Sequence, residues 1–115
     1  MILKIKNLKL ETILGIHDWE QHVKRPIIIN LEIEGNFEKS LTSDNIADTI
    51  DYDKISNEIK EIIENNKFQL IEKMTQQLLD KIMQDSRITR CKIEVDKVGA
   101  INFVESASIT LEQIK

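Results

Sequence analysis

The fold is organised around the stretch Asn65-Asn66-Lys67-Phe68-Gln69-Leu70-Ile71-Glu72-Lys73, which joins two helical patterns. Isoleucines recur at helical spacing before it, from Asp53 onward, and apolar residues recur in the same way after it as far as Ile82. Asparagine tolerates the left-handed backbone in which many helices end, so we expect the first helix to stop at Asn65. Glu72 then lies in the first turn of the second helix, where the dipole favours an anion by about 0.3–1 kcal/mol.

Two strands are predicted before the helices and two after them. Apolar and polar residues alternate over residues 2–16, with a shift of phase at Asn7 that predicts a bulge. A longer alternation over residues 26–37 should pair with it as an antiparallel strand. Period-two alternation returns after Arg87 and again from Ser106. The order strand, strand, helix, helix, strand, strand predicts an α+β fold, in which a helix pair covers one face of a four-stranded antiparallel sheet.

Length, charge and cysteine content narrow the class of protein. A chain of 115 residues makes a single domain, residues 1–115, with a modest core. Its 16 lysines and arginines against 20 acidic residues give a net charge of −4, which argues against nucleic-acid and membrane-surface partners. The alternating N-terminus is neither a signal peptide nor a membrane span, and the single cysteine, Cys91, fits a reducing compartment. We therefore expect a soluble cytoplasmic protein.

The predicted sheet has two open edges, and its apolar residues need more cover than two helices provide. Open edges invite pairing with other chains. Lys97 continues the apolar face that runs from Cys91 to Val95, which is an awkward place for a charge in a monomer. These features predict a closed homo-oligomer in which sheets join edge to edge.

Four polar residues stand at junctions between elements: Glu20, Tyr52, Glu72 and Lys97. Each also has an ordinary explanation. Glu20 lies in a polar loop, Tyr52 could cap the helix pair, and most strand-end lysines such as Lys97 only protect an edge. Gly99 follows Lys97 closely, and a glycine lets backbone approach a ligand.

His17 and His22 flank Glu20 and raise the question of a metal site. Two histidines five residues apart, outside a helix, do not form the paired face that binds zinc in HExxH helices. Cys91 lies on a predicted strand and supplies no recognisable third ligand. The chain also lacks a glycine-rich phosphate loop and a nucleophile elbow. We predict no metal and no cofactor.

The residues at these junctions resemble the successive motifs of dihydroneopterin aldolase. The matching stretches are residues 15–21 (GIHDWEQ), 48–52 (DTIDY), 68–72 (FQLIE) and 97–100 (KVGA). Further stretches are similar to the related dihydroneopterin triphosphate 2′-epimerases: residues 4–8 (KIKNL), 64–68 (ENNKF), 72–76 (EKMTQ), 96–97 (DK) and 106–110 (SASIT). Val98 departs from the proline that follows the lysine in many aldolases. The family is therefore indicated, while its two branches stay open.

The resemblance implies the tunnelling fold, in which four subunits join their sheets into a barrel and two such rings often stack into an octamer. It implies that Glu72 anchors a pterin, because one carboxylate can accept the paired N–H donors of the aminopyrimidinone edge, with the backbone of Ile71 assisting. Tyr52 and the backbone of Ile50 would come from the neighbouring subunit. Active sites would thus lie at subunit interfaces.

The implied reaction belongs to folate biosynthesis and needs no metal, because the substrate's own C6=N5 imine accepts the electrons. Lys97 would transfer protons, with Glu20 and Tyr52 helping to position the reacting groups. Loss of the 2′-hydroxyl proton breaks the C1′–C2′ bond and yields 6-hydroxymethyl-7,8-dihydropterin and glycolaldehyde. Re-addition of glycolaldehyde to the other face gives the 2′-epimer, so an aldolase with epimerase activity is our prediction.

Two alternatives remain. One is an epimerase that acts mainly on the triphosphate, for which Lys24 and Arg25 are the nearby cations that could hold phosphates. The other is a non-catalytic oligomer that binds pterins or only fills an interface. Loss of the set formed by Glu20, Tyr52 and Lys97 would have favoured that reading, and all three residues are present.

Overall fold

The structure, a computed structural model, describes all 115 residues. Its strands are β1 (Ile2–Thr12), β2 (Arg25–Gly35), β3 (Ile88–Ile101) and β4 (Val104–Ile114). Its helices are α1 (Ser40–Ser43), α2 (Tyr52–Glu64) and α3 (Ile71–Ile82), with 3₁₀ helices at Asp18–His22 and Ile46–Asp48. The strands form one antiparallel sheet in the order β1-β2-β3-β4. The predicted order of two strands, two long helices and two strands is confirmed.

The core lies between the sheet and the two long helices. On β2 the alternate residues from Ile27 to Ile33 are fully buried, while the intervening residues face the other side of the sheet. Helix α2 packs against β1, and α3 packs against β3 and β4. The helices contribute to this core chiefly through Ile55, Ile59, Ile63, Met74, Leu78, Leu79 and Ile82. Both helices therefore cover the same face, as the sequence predicts.

Strand β1 has the predicted irregularity and an unpredicted end. Its register against β2 shifts between Ile5 and Leu8, and Asn7 takes φ 54° while its N–H donates to the Asn30 side chain at 2.9 Å. The prediction that the strand continues to residue 16 is wrong, because regular pairing stops at Thr12. Beyond that point Leu14 forms an isolated parallel bridge with Phe68. The chain thereby joins the segment that leads into α3.

Helix α2 ends without the left-handed residue that we expected. Asn65 has φ −95°, and its N–H still donates to the carbonyl of Glu61 at 3.1 Å. The Asn66 side chain donates to the free carbonyl of Ile62 at 2.7 Å. A side-chain cap thus satisfies a terminal carbonyl that a left-handed turn would otherwise satisfy.

The face of the sheet away from the helices carries charged side chains from all four strands. Arg90 on β3 contacts Glu112 on β4 at 2.7 Å, and Glu32 and Glu34 on β2 at 3.4 and 3.5 Å. Lys4 on β1 extends the network through Glu32 at 3.6 Å. We call these five residues the Arg90 network.

None of the helices has the length and the apolar composition that a membrane-spanning helix needs.

Candidate functional site

A cleft of about 360 Å³ opens where β1 ends, between the Asp18–His22 helix, the start of α3 and the end of β3. It is lined by Leu14, Gly15, Ile16, His17, Trp19, Glu20, Gln69, Leu70, Ile71, Glu72, Lys97 and Ala100. The lining includes four of the predicted site residues, which come from three distant segments of the sequence: Glu20, Ile71, Glu72 and Lys97. The fold brings them together because the β1–β2 loop, α3 and β3 meet at this end of the sheet.

Glu20 and Lys97 form an ion pair in the wall of the cleft. The Lys97 Nζ donates to Glu20 Oε2 at 2.7 Å, and the two side chains are only 16% and 8% exposed. Glu20 Oε1 accepts from the backbone N–H of His17 at 3.2 Å. Such desolvated pairs rarely increase net stability over apolar residues of the same size. The pair lines the open space of the cleft, where a bound ligand would meet it.

The local sequence explains why the pair forms here. The β2–β3 register places Lys97 opposite Ile27 on the face that the helices cover. Glu20 reaches Lys97 because Gly15 leaves room for its carboxylate: a Cβ on Gly15 would lie 2.2 Å from the Glu20 Cδ. Gly15 also has φ +146°, a backbone conformation that side-chain-bearing residues rarely adopt. Position 15 therefore needs glycine for two reasons: the space that the Glu20 carboxylate occupies and the backbone conformation.

The surroundings of Glu20 favour its ionised form. Burial by itself raises the pKa of this carboxyl group, because desolvation disfavours the charge. The hydrogen bond from Lys97, the N–H of His17 and the positive charges of both residues oppose this effect. Together they hold the pKa of Glu20 below its ordinary value of 4.5. Glu20 is thus an anion near neutral pH.

Glu72 lies exposed in the first turn of α3 and lines the same cleft as the ion pair. Leu70 precedes the helix and supplies no side-chain cap to the first-turn amides. The carbonyl of Ile71 accepts from the buried hydroxyl of Thr75 at 2.7 Å, which holds this turn together. The site therefore offers an anion beside amides that no side chain caps, a pairing suited to a ligand with both donors and acceptors.

Gln21 is a positioning residue to which the sequence assigned no role. Its side-chain Nε2 donates to the carbonyl of Gly15 at 2.6 Å and to that of Phe68 at 3.2 Å. Phe68 also accepts from the N–H of Gly15 at 3.0 Å. One amide thus connects the loop that carries Glu20 to the segment that leads to Glu72. The motif of residues 15–21 includes Gln21 but does not reveal its role, since the acceptors are backbone atoms 6 and 47 residues away.

Trp19 forms the outer rim of the cleft. Its ring stacks on His17 with centroids 6.3 Å apart, and the Arg25 guanidinium carbon lies 5.7 Å from the Trp19 ring. An Arg25 Nη2 donates to the carbonyl of Gly99 at 2.8 Å. The rim is therefore built from the β1–β2 loop and the start of β2, and it is joined to the end of β3.

Tyr52 and Ile50 do not line this cleft within a single chain. Tyr52 is 62% exposed at the start of α2, and Ile50 lies in the wall of a second cavity of about 480 Å³. In that cavity Arg87 is held by Asp85 and donates to the carbonyl of Thr49 at 3.1 Å. The second cavity is larger, but its arginine is already engaged in holding the loop before α2. The predicted role of Tyr52 and Ile50 in a neighbour's site stays a prediction.

The two histidines of the loop contact different acids. His17 lies 3.9 Å from Glu20, and His22 lies 3.9 Å from Asp18. No group of three or more histidine, cysteine, aspartate or glutamate side chains is arranged to hold a metal ion. Cys91 is buried in the core, where desolvation raises the pKa of its thiol to about 12.

Comparison with known proteins identifies relatives over nearly the whole chain. The family model described as FolB, dihydroneopterin aldolase, matches residues 3–112. The dihydroneopterin triphosphate 2′-epimerase of Escherichia coli is 37% identical over 110 residues, covering 96% of this chain and 92% of its own. The dihydroneopterin aldolase of the same organism is 23% identical, covering 97% of this chain and 92% of its own.

Solved structures agree on the fold. The FolB structure from Vibrio cholerae superposes with a TM-score of 0.95 at 27% identity and covers 100% of this chain and 98% of its own. A crystal structure of E. coli dihydroneopterin aldolase in complex with neopterin superposes with a TM-score of 0.93 and covers 98% of both chains. The architecture is therefore the tunnelling fold that the sequence resemblance implied.

Proposed function

This chain belongs to the dihydroneopterin aldolase family, and we propose that it is an enzyme that breaks and re-forms the C1′–C2′ bond of a dihydroneopterin side chain. The observation that carries the proposal is the Glu20–Lys97 ion pair, which lines the same cleft as Glu72. The reaction needs one group that moves protons and another that holds the pterin ring. This cleft has candidates for both.

Glu72 is the proposed ring anchor. Its carboxylate accepts the paired N–H donors of the aminopyrimidinone, and such charge-assisted pairs are stronger than neutral hydrogen bonds. The backbone of Ile71, in the same helical turn, completes the contact. The ring then lies at the start of α3, with its side chain directed toward the opposite wall of the cleft.

Lys97 is the proposed proton-transfer residue, and Glu20 holds its Nζ in place. Removal of the 2′-hydroxyl proton turns C2′ into a carbonyl, breaks the C1′–C2′ bond and sends the electron pair into the C6=N5 imine. Protonation at C1′ would then release 6-hydroxymethyl-7,8-dihydropterin and glycolaldehyde. Re-addition of the aldehyde to the other face instead gives the 2′-epimer. Tyr52 of a neighbouring subunit is the proposed helper in positioning the side-chain hydroxyls.

The branch that we favour is epimerisation of dihydroneopterin triphosphate. The supporting observation is identity: 37% to the E. coli triphosphate 2′-epimerase against 23% to the E. coli aldolase, over similar lengths. Cleavage of unphosphorylated dihydroneopterin in folate biosynthesis, which the sequence suggested first, is the second candidate. The two reactions share the same deprotonation, so the same residues serve both.

A homo-oligomer, tetramer or octamer, with sites between subunits is part of the proposal. Exposed apolar side chains surround the cleft, with Ile16 69%, Trp19 55% and Leu70 49% exposed. Strands β1 and β4 leave the two edges of the sheet unpaired. A neighbouring chain that pairs with an edge would cover these side chains and bring its own Tyr52 and Ile50 to the pterin. We also propose a cytoplasmic location, in keeping with the unpaired Cys91.

The test is to incubate the purified protein separately with 7,8-dihydroneopterin and with its triphosphate. We expect the 2′-epimer of the triphosphate as the main product, resolved by chiral chromatography. Release of 6-hydroxymethyl-7,8-dihydropterin and glycolaldehyde from the unphosphorylated compound would support the second candidate. Recovery of both compounds unchanged, with a pterin still bound, would contradict catalysis and leave a pterin-binding oligomer.

A further inference from the structure

Arg25 is the one arginine of the chain that forms no ion pair with a carboxylate. Arg87 pairs with Asp85, and Arg90 contacts three glutamates. Arg25 instead donates one N–H to the carbonyl of Gly99 and lies against the ring of Trp19. A guanidinium has five N–H donors, so most of those on Arg25 remain available to a ligand.

The sheet register places Arg25 next to the ion pair. Lys97 pairs with Ile27, and Arg25 lies two residues before Ile27 on the same strand. Alternate residues of a strand point to the same face, so Arg25 and Lys97 are diagonal neighbours on one face, with backbones separated by about 7–8 Å. Arg25 thus lies closer to the end of the sheet than the Ile27–Lys97 pair, at the mouth of the cleft.

The guanidinium is held in position rather than free in solvent. Gly99, whose carbonyl accepts from Arg25, takes φ +69°, a left-handed backbone conformation that glycine adopts without strain. The cation–π contact with the Trp19 indole and the hydrogen bond to this carbonyl both restrict the long side chain. An arginine whose conformation is restricted in this way loses less entropy when it binds a second group.

We propose that Arg25 binds a phosphate group attached to the end of the substrate's side chain and thereby selects phosphorylated dihydroneopterin over the free compound. This inference rests on the proposed function. With the ring at Glu72 and the reacting carbons at Lys97, a longer side chain leaves the cleft past Trp19, which lines it. It then meets Arg25. Guanidinium groups bind phosphate oxygens in a bidentate manner, whereas a terminal hydroxyl leaves the fork largely unused.

The experiment compares two ligands on four proteins: the parent, Arg25→Gln, Arg25→Lys and the control Lys92→Gln. Lys92 is an exposed cation on the face of β3 away from the cleft, so its loss changes the net charge equally. Affinities for neopterin and neopterin triphosphate are measured by calorimetry, and kcat/KM is measured for the corresponding dihydro compounds. We expect Arg25→Gln to lower the preference for the triphosphate by about 10–100-fold, with affinity for neopterin nearly unchanged.

Arg25→Lys should lose part of the preference, because a lysine keeps the charge but not the fork. The Arg25→Lys variant also tests the inference if Arg25→Gln does not fold. Lys92→Gln should keep the parent preference within about threefold, the small effect of an exposed charge. An unchanged preference in both Arg25 variants, or equal losses with both ligands, would overturn the inference. The binding measurement separates the two proposals, since a protein that binds the triphosphate through Arg25 but turns over neither compound contradicts only the proposed function.

Discussion

Two clusters of ion pairs lie on opposite faces of β3, and they differ in the number and the exposure of the partners that each cation has. Lys97 and Arg90 are seven residues apart, an odd number, so one faces the helices and the other faces away. Lys97 has a single partner, Glu20, and both side chains are at most 16% exposed. Arg90 is 18% exposed, about as buried as Lys97, but its three partners are 33–42% exposed and lie on two neighbouring strands.

The two clusters have different surroundings, from which we infer different roles. The Arg90 network spreads charge over all four strands and favours their register, and none of its five residues lines the cleft or the second cavity. The Glu20–Lys97 pair connects a loop to a strand beside a cleft, where loss of one partner leaves a desolvated charge unpaired. We therefore expect variants of the cleft to change activity and variants of the Arg90 network to change stability.

The largest effect should follow Lys97→Ala. If Lys97 transfers the proton, the chemical step should slow by roughly 10²–10⁴-fold. Affinity for neopterin should change far less, because the pterin edge contacts Glu72. Cleavage and epimerisation should fall together, since they share the deprotonation. Single-turnover kinetics measure the step, and Lys92→Ala, an exposed lysine on the other face of β3, is the control. Turnover at the parent rate would make Lys97 structural.

Glu72→Gln should weaken pterin binding by about 2–5 kcal/mol, because an amide pairs poorly with two donors and loses the charge. Titration with neopterin measures this. Glu61→Gln, an exposed glutamate on α2, should bind like the parent. Equal affinities in the parent and Glu72→Gln would remove Glu72 from the anchor role.

Gln21→Met should lower kcat by roughly tenfold and stability by about 1–3 kcal/mol, because buried carbonyls lose their donor. Both the Glu20 loop and the approach to α3 should loosen, so KM should rise as kcat falls. The control is Gln113→Met, at an exposed glutamine on β4. A loss of stability with unchanged kinetic constants would show that Gln21 supports the fold alone.

Arg90→Met should lower the urea midpoint while kcat stays within about twofold of the parent, the sensitivity expected of an exposed charge network. The stability difference between parent and variant should shrink in high salt, which screens exposed charges. A large fall in kcat with the assembly intact would contradict the inference that the Arg90 network affects stability but not activity.

The smallest expected effect is a change in the free energy of unfolding at acid pH. The pKa of Glu20 is lower in the folded protein than its ordinary value of 4.5, so its contribution to stability is complete above that value. It should be lost as the pH falls through the folded pKa. The stability difference between the parent and Glu20→Gln should therefore decrease below pH 4.5, measured by urea unfolding from pH 7 to pH 3. A difference that grew toward acid would contradict the lowered pKa.

Local periodicity in the sequence predicted the order of elements, the alternation along β2 and the bulge at Asn7. The sequence also marked Glu20, Glu72 and Lys97 through their motifs. It did not predict the early end of β1, since the bridge from Leu14 to Phe68 depends on a partner 54 positions away. Such a contact leaves no period in the sequence.

Which of the marked residues meet within one chain depends on tertiary packing. Lys97 and Glu20 are 77 residues apart, and their contact requires the β2–β3 register together with the space above Gly15. The engagement of Gln21 and Arg25 was equally invisible, because both donate to backbone carbonyls, which every residue carries. Side-chain patterns reveal which face of an element is buried, whereas a site depends on how separate elements are brought together by packing.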